Sequence, residues 1–257
     1  MQKQCFNFKN MIYSNQQIKL IKKSGQILAY VLNKVAKATK AGISTKKLDE
    51  LAEKIIKDKK ATPAFKGYDG FPASLCVSIN ENIVHGIPTK DRILKQGDIV
   101  GLDLGVKYNN YFSDMAVTIA IGKIQPQTQK MIKVTKNALA LGIKQAKTGN
   151  TIGDIGKAIQ CYVEKNGFSV IRQLTGHGVG KKVHEDPKVP NFSPSPWENI
   201  KLEEGMVLAI EPMVAMGDFK IKTLNDGWTI AMADMSLSAH FEHTIVVTKT
   251  GGKILTK

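Results

Sequence analysis

Ala41-Gly-Ile-Ser-Thr-Lys-Lys-Leu48 returns 107 positions later as Thr148-Gly-Asn-Thr-Ile-Gly-Asp-Ile155. Gly42 answers to Gly149, Ser44 to Thr151, Leu48 to Ile155 and, further along, Ile56 to Val163. In each copy a glycine stops one helix, and a hydroxyl residue two positions on can cap the next by accepting from a free N–H. Before the first copy, Ile18, Ile21, Leu28, Val31, Leu32 and Val35 recur at helical spacing, which predicts a helix over 14–40 capped by Ser14 or Asn15. Before the second, Pro126 opens a helical pattern through Met131, Val134, Leu139 and Ile143. β-branched and alternating runs at 98–106, 115–121, 207–211 and 244–248 read as strands. The Pro-rich stretch 187–197 reads as a loop, and the apolar stretch 231–235 as core packing. Helices followed by strands, twice over, predict one α+β domain over 1–257. Its pseudo-repeats cover about 12–123 and 124–257, after a short tail of 1–11.

The composition agrees with a folded domain. Of 257 residues, 42% are hydrophobic and 23% charged, which excludes disordered, collagenous and disulfide-scaffold classes. No apolar run approaches the roughly 18 residues that span a bilayer, and the first ten residues lack the apolar stretch of a secretory signal. Cys5, Cys76 and Cys161 form no Cys-x-x-Cys pair, so a reducing cytoplasm is expected rather than a disulfide framework or thiolate zinc site. The net charge is +15, and residues 1–60 hold 14 Lys against 4 acids. Only two arginines are present, Arg92 and Arg172, which argues against base-specific DNA reading, a task that recruits the bidentate guanidinium. Two readings of the lysines stand: a diffuse surface that meets an anionic partner such as RNA, or solvated helix faces.

The chemistry is concentrated in four segments. In Gly101-Leu-Asp-Leu-Gly-Val-Lys-Tyr-Asn-Asn-Tyr-Phe-Ser-Asp114, two strands flank a Tyr-Asn-Asn turn, so Asp103 and Asp114 are expected roughly opposite each other. Opposed Cβ atoms lie about 4.5–5.5 Å apart, and like charges there are destabilising. Among apolar neighbours, either one acid is protonated or a cation lies between them; exposed hairpin acids are the plain alternative. In Leu174-Thr-Gly-His-Gly-Val-Gly180, the glycines around His177 remove bulk and would let a ligand or metal approach the ring, though a structural histidine reads equally well. The stretch lacks the spacing of a phosphate loop. Glu211 ends an apolar strand before Pro212, and Glu242 enters another in Ala239-His-Phe-Glu-His243. Two Asp, two Glu and one His form an oxygen-rich set suited to two divalent ions sharing bridging carboxylates, with Mn, Fe, Co or Zn admissible. Such centres hydrolyse amide and phosphate bonds.

These segments, together with Ser78-Ile-Asn-Glu-Asn-Ile-Val-His-Gly-Ile-Pro88, closely resemble the signatures of type I methionine aminopeptidases over nearly the whole chain. The resemblance implies the duplicated pita-bread fold, with antiparallel sheet inside and helices outside. It also implies hydrolytic removal of N-terminal methionine from nascent proteins when the second residue is small. By it, Asp103 chelates one divalent metal (Co, Mn, Fe, Zn or Ni), His177 and Glu211 hold the other, and Asp114 and Glu242 bridge them. A metal-bridged water or hydroxide attacks the scissile carbonyl, with Glu211 as proton shuttle. His85 corresponds to the residue that contacts the scissile amide, and His184 to the one that stabilises the tetrahedral oxygen. Phe65, Tyr68, Phe71, Cys76, Val183 and Trp228 match the methionine pocket, where aromatics and a thiol suit a polarizable thioether. Asn80, Asn82 and Ser238 align with a monovalent-cation site of some members. The family also implies a cytoplasmic monomer acting on nascent chains at the ribosome, where the lysines would meet rRNA.

The competing readings lie within the same fold. Proline-specific aminopeptidases and prolidases share the ligand set but carry an extra N-terminal domain, and the 27 residues from His184 to Glu211 leave no room for the type II helical insertion. Members that have lost the metal act as binding modules, whereas all five ligand positions are filled here.

Overall fold

The computed structural model describes residues 11–257, and its helices begin at the expected caps. Ser14 Oγ accepts from the Gln17 N–H at 3.3 Å while Gln17 Oε1 accepts from the Ser14 N–H at 2.9 Å. This reciprocal box starts α1 (Asn15–Ala38). Ser44 caps α2 (Thr45–Asp58), Pro126 occupies the first turn of α3 (Pro126–Gln145), and a Thr151–Asp154 box starts α4 (Ile152–Lys165). The two caps are held alike. Gly42 N–H donates to Leu94 O at 2.8 Å and Thr45 N–H to Arg92 O at 2.9 Å; Gly149 N–H donates to Leu202 O at 3.4 Å and Ile152 N–H to Ile200 O at 2.9 Å.

Five strands follow the first helix pair: β1 (Thr62–Pro63), β2 (Leu75–Ile79), β3 (Asn82–Val84), β4 (Ile99–Tyr108) and β5 (Tyr111–Ala120). Ten follow the second: β6 (Ser169–Val170), β7 (Thr175–Gly178), β8 (Glu185–Pro190), β9 (Val207–Ile210), β10 (Met213–Ala215), β11 (Ile221–Thr223), β12 (Ile230–Met232), β13 (Ser238–His240), β14 (His243–Val247) and β15 (Gly252–Ile254). Every ladder among these strands is antiparallel. β4 pairs with β1, β2 and β5; a second sheet runs β15-β14-β9-β7-β8; short sheets β13-β10-β6 and β11-β12-β3 complete the set.

Strand alternation decides which residues meet the helices and which meet the other half. Val100, Leu102, Leu104 and Val106 of β4 are fully buried with Leu28, Leu32, Val35, Leu48 and Ile56 of α1 and α2. Met115, Val117 and Ile119 of β5 join this layer, so Asp103, Asp114, Ala116 and Thr118 face the other way. A second core packs Met131, Leu139, Ile155 and Ile159 from α3 and α4 against Leu208, Ile210 and Ile245. Truncating any one of these side chains to alanine is expected to cost about 2–5 kcal/mol.

The halves join along one seam. Thr244 Oγ1 accepts from the Asp114 N–H and donates to Asp114 O, both at 2.8 Å. Thr118 Oγ1 does the same for His240, at 2.9 and 2.7 Å. Glu242 N–H donates to Ala116 O at 2.9 Å between them. β5 therefore runs beside residues 240–244 in reversed order.

Three expectations need correction. The turn between β4 and β5 is Asn109-Asn110 alone, both with positive φ (47° and 64°), the two-residue turn that matches strand twist. Gly105 thus faces Asp114, and Asp103 faces Ala116: the acids are diagonal neighbours on one face, two positions out of direct opposition. The stretch 187–197 is not all loop, since β8 continues to Pro190 at the edge of its sheet, where proline removes no needed donor. In 231–235, Ala231 and Met232 are buried as expected, but Met235 is 58% exposed.

Cys76 is buried and Cys161 exposed, both as free thiols, while Cys5 and all but the last residue of the predicted tail lie outside the described residues. Among the described residues no helix is long and apolar enough to cross a membrane.

Candidate metal centre and its cleft

Asp103 sits mid-β4 and Asp114 on β5; His177 lies on β7, Glu211 one residue past β9, and Glu242 between β13 and β14. The seam brings all five together. Ligand atoms of Asp103, Asp114 and Glu242 lie within 4.8 Å of one another, as do those of His177, Glu211 and Glu242, and those of Asp114, His177 and His184. Asp114 and Glu242 are 3% and 2% exposed.

The tautomer of His177 is set by its neighbour. Its Nδ1 lies 2.9 Å from the carbonyl of Gly178, which can only accept, so Nδ1 carries the hydrogen. Burial holds the ring neutral, with His184 adding to it, and depresses its pKa to about 3. Nε2 is then a bare lone pair, 3.5 Å from Glu211 Oε1 and 4.0 Å from Asp114 Oδ2. Acceptors thus face acceptors. Asp103 Oδ1 and Glu242 Oε1 are buried with no hydrogen-bond partner. Burial is the main cause that raises the pKa of Asp103 to about 7 and pushes Asp114, Glu211 and Glu242 well above the carboxylate range. Mutual repulsion adds to this for Asp103, Asp114 and Glu242. A cluster of this kind is relieved by protons or by cations, and the bare imidazole nitrogen selects a cation that takes nitrogen as well as oxygen. The residues present fit a divalent metal.

The glycines around His177 serve the backbone rather than the ring. A Cβ at Gly176 would stand 2.4 Å from Ala209 O, and one at Gly178 would stand 2.3 Å from Asp186 O. They let β7 fit between β8 and β9; ligand access to His177 comes from the cleft side.

The centre opens into a cleft of about 1300 Å³, also lined by His85, His184, Phe65, Tyr68, Phe71, Cys76 and Trp228. Phe65, Phe71, Cys76 and Val183 pack as one buried apolar group with Tyr68 and Trp228 against it, so all six predicted pocket residues are brought together. Phe71 and Trp228 meet edge to face at 5.3 Å. Burial raises the Cys76 thiol well above its ordinary pKa and keeps it protonated.

His85 follows β3 in a left-handed conformation (φ 59°), with burial lowering its pKa to about 4. His184 stands at the mouth, edge-on to His177 at 4.4 Å, with Nδ1 3.1 Å from Tyr68 Oη. Burial lowers its pKa as well. Its loop is pinned by residues on the wall of the same cleft. Tyr13 Oη donates to Glu185 Oε2 at 2.6 Å and accepts from Lys181 N–H at 3.1 Å, while Glu185 Oε1 accepts from the N–H groups of Lys181 and Lys182 at 2.8 and 2.7 Å. Asn80 O accepts from Ser238 N–H and Oγ–H at 3.0 and 3.2 Å, and Asn82 Oδ1 is buried without a partner.

Sequence reasoning quoted His240 but assigned it no role. It lies two residues before Glu242 in extended chain, hence on the same face, and that spacing was the signal available.

Comparison with known proteins identifies the family and the fold. The family model of metallopeptidase family M24 matches residues 19–249. The methionine aminopeptidase of Clostridium perfringens is 48% identical over 96% of this chain and 98% of its own length, and methionine aminopeptidase 1 of Bacillus subtilis is 47% identical over 94% and 97%. The crystal structure of the Thermotoga maritima methionine aminopeptidase superposes with a TM-score of 0.93 at 42% identity, covering 96% of this chain and 98% of that one. The Pyrococcus furiosus prolidase, at 24% identity and a TM-score of 0.79, shares the fold; this chain covers 65% of it. The duplicated pita-bread fold expected from the sequence is the fold observed.

Proposed function

The chain belongs to metallopeptidase family M24, and from that premise we propose that it is a methionine aminopeptidase, hydrolysing the N-terminal methionine from polypeptides. One observation carries this reading: the acceptor-only cluster and the apolar pocket of aromatics and a thiol line the same cleft. A charged, metal-holding wall beside an apolar slot suits a substrate with a free amine and a thioether at one end.

As a metallopeptidase, the chain uses divalent metal. Asp103 would hold one ion, His177 and Glu211 a second, and Asp114 and Glu242 would be shared. Bound there, divalent metal supplies Lewis-acid polarisation of the scissile carbonyl and eases deprotonation of the attacking water. Glu211 takes that proton and returns it to the departing amine, its carboxylate standing at the cleft wall beside His177. His184 is neutral near pH 7; with Tyr68 Oη donating to Nδ1, its Nε2–H is free to donate to the developing oxyanion. His85 donates to the scissile amide. Phe65, Tyr68, Phe71, Cys76, Val183 and Trp228 enclose the methionine side chain and exclude water from it.

Asn80, Asn82 and Ser238 would take a monovalent cation through oxygen atoms, Asn82 Oδ1 having no other partner. The substrates are N-termini of nascent proteins with a small second residue, in the cytoplasm, processed by a monomer. Eleven lysines of α1, α2 and the turns after them, from Lys19 to Lys60, are exposed, which suits a phosphate-bearing surface such as rRNA.

The test is methionine release from Met-Ala-Ser by metal-stripped protein supplied separately with Mn, Fe, Co, Zn or Ni, against Leu-Ala-Ser. Metal-dependent release of Met alone is expected. Metal-independent release, or equal release of Leu, would overturn the reading.

A further inference from the structure

His240 closes β13 and is 3% exposed. Thr118 Oγ1 bonds both its N–H and its carbonyl, so the ring enters the cluster from a fixed backbone. Nε2 is buried with no hydrogen-bond partner, a condition native structures rarely keep without a use. Its close neighbour is Glu211 Oε2 at 3.6 Å, just beyond hydrogen-bond contact. The other oxygen of the same carboxylate, Oε1, faces His177 Nε2 at 3.5 Å.

Glu211 therefore lies between two imidazoles that differ in kind. His177 is fixed by Gly178 as the Nδ1–H tautomer and turns a lone pair to Oε1. Among the described residues no such carbonyl fixes the ring of His240, and an acceptor at its Nε2 favours the Nε2–H form. Among the described residues His240 stands in none of the three groups whose ligand atoms lie within 4.8 Å of one another, and its Nε2 is directed at one oxygen of Glu211.

We propose that His240 is a positioning residue for Glu211: its Nε2–H donates to Glu211 Oε2 and turns Oε1 toward the metal position beside His177. The closing needed is a few tenths of an ångström, and contacts of this sort tighten when a site is loaded. Carboxylate ligands are commonly held by such outer hydrogen bonds, and loss of one costs about 10–100-fold in metal affinity. The proposal rests on the reading of Glu211 and His177 as ligands.

The test uses full-length, metal-stripped protein in three forms: wild type, His240→Gln, which keeps an N–H donor, and His240→Leu, which keeps bulk without one. Mn(II) is titrated by calorimetry, and kcat and KM are measured at saturating Mn(II). The expected result is that His240→Leu weakens one Mn(II) binding event about 10–100-fold and that His240→Gln restores most of the loss. Wild-type affinity in His240→Leu, or equal loss in both variants, would overturn the proposal; equal loss would make the imidazole itself a ligand. If His240→Leu does not fold, the visible spectrum of the Co(II)-loaded Gln variant decides. An unchanged spectrum supports an outer role, and a changed one overturns it. Wild-type protein that takes up no Mn(II) would defeat the metal-site reading and this proposal with it.

Discussion

The Glu242 N–H donates to the carbonyl of Ala116 at 2.9 Å, and Ala116 is the residue that faces Asp103 in the β4–β5 ladder. One small residue of the first half thus sets the height of an acid on its own sheet and of an acid from the second half. With Thr244 holding Asp114 and Thr118 holding His240 on either side, the cluster is built from backbone register rather than from loop conformation.

Removing metal should make stability depend on pH above neutrality. The folded pKa of Asp103 is raised to about 7, and burial pushes those of Asp114, Glu211 and Glu242 well above the carboxylate range as well. For an acid raised on folding, stability is present below its unfolded pKa and lost as pH climbs toward the folded one. Between roughly pH 4 and 6.5 this loss is opposed by His85, His177, His184, His240 and His243, which burial keeps neutral; unfolded histidines titrate near 6.5. Above that only the acids count. The Tm of stripped protein is expected to fall from pH 6.5 to 8.5, and Mn(II) to cancel the fall. A flat profile without metal would contradict the cluster's electrostatics.

His184→Ala should separate chemistry from binding. If Nε2–H donates to the developing oxyanion, kcat falls about 100–1000-fold, the usual result of losing one such donor, while KM for Met-Ala-Ser and Mn(II) stoichiometry change little. Steady-state kinetics with metal analysis checks this, and a change confined to KM would reassign the residue.

Val183→Phe adds bulk to the buried apolar group of Phe65, Phe71 and Cys76 and changes none of the five acidic and histidine ligand positions. KM for a methionyl peptide is expected to rise by about tenfold or more, within the range set by changes in a hydrophobic pocket. Mn(II) affinity should match wild type by calorimetry.

Tyr13→Phe removes the hydroxyl that joins Glu185 to the backbone of Lys181. A lost hydrogen bond to a charged group costs about 1.5–3 kcal/mol, and for a chain of this size each kcal/mol is worth about 2–4 °C in Tm. Hydrogen exchange should quicken at residues 181–184, while peptides from α3 keep their protection.

The helices were legible because each start is a local event: a hydroxyl and an N–H three residues on for α1, α2 and α4, a first-turn proline for α3, and an apolar stripe in each. The diagonal offset of Asp103 and Asp114 was not, since it depends on whether the turn takes two residues or three, and Tyr108 pairs with Tyr111 instead of joining the turn. β8 was hidden behind Pro187 and Pro190, whose missing N–H groups are harmless on an edge. The ligand set was readable by residue type, yet the seam that assembles it was not. It depends on the hydroxyls of Thr118 and Thr244 meeting backbone more than 120 residues away. The glycines beside His177 were readable as special, but their reason lay in Ala209 and Asp186, which no local pattern names.

Asp103 and Asp114 come before the connection 121–125, and His177, Glu211 and Glu242 after it. Each half thus owns an incomplete share of one chemical instrument. A chain severed in that connection would behave as a two-key lock: neither fragment could hold the full set, and hydrolysis would report their reunion rather than the presence of either.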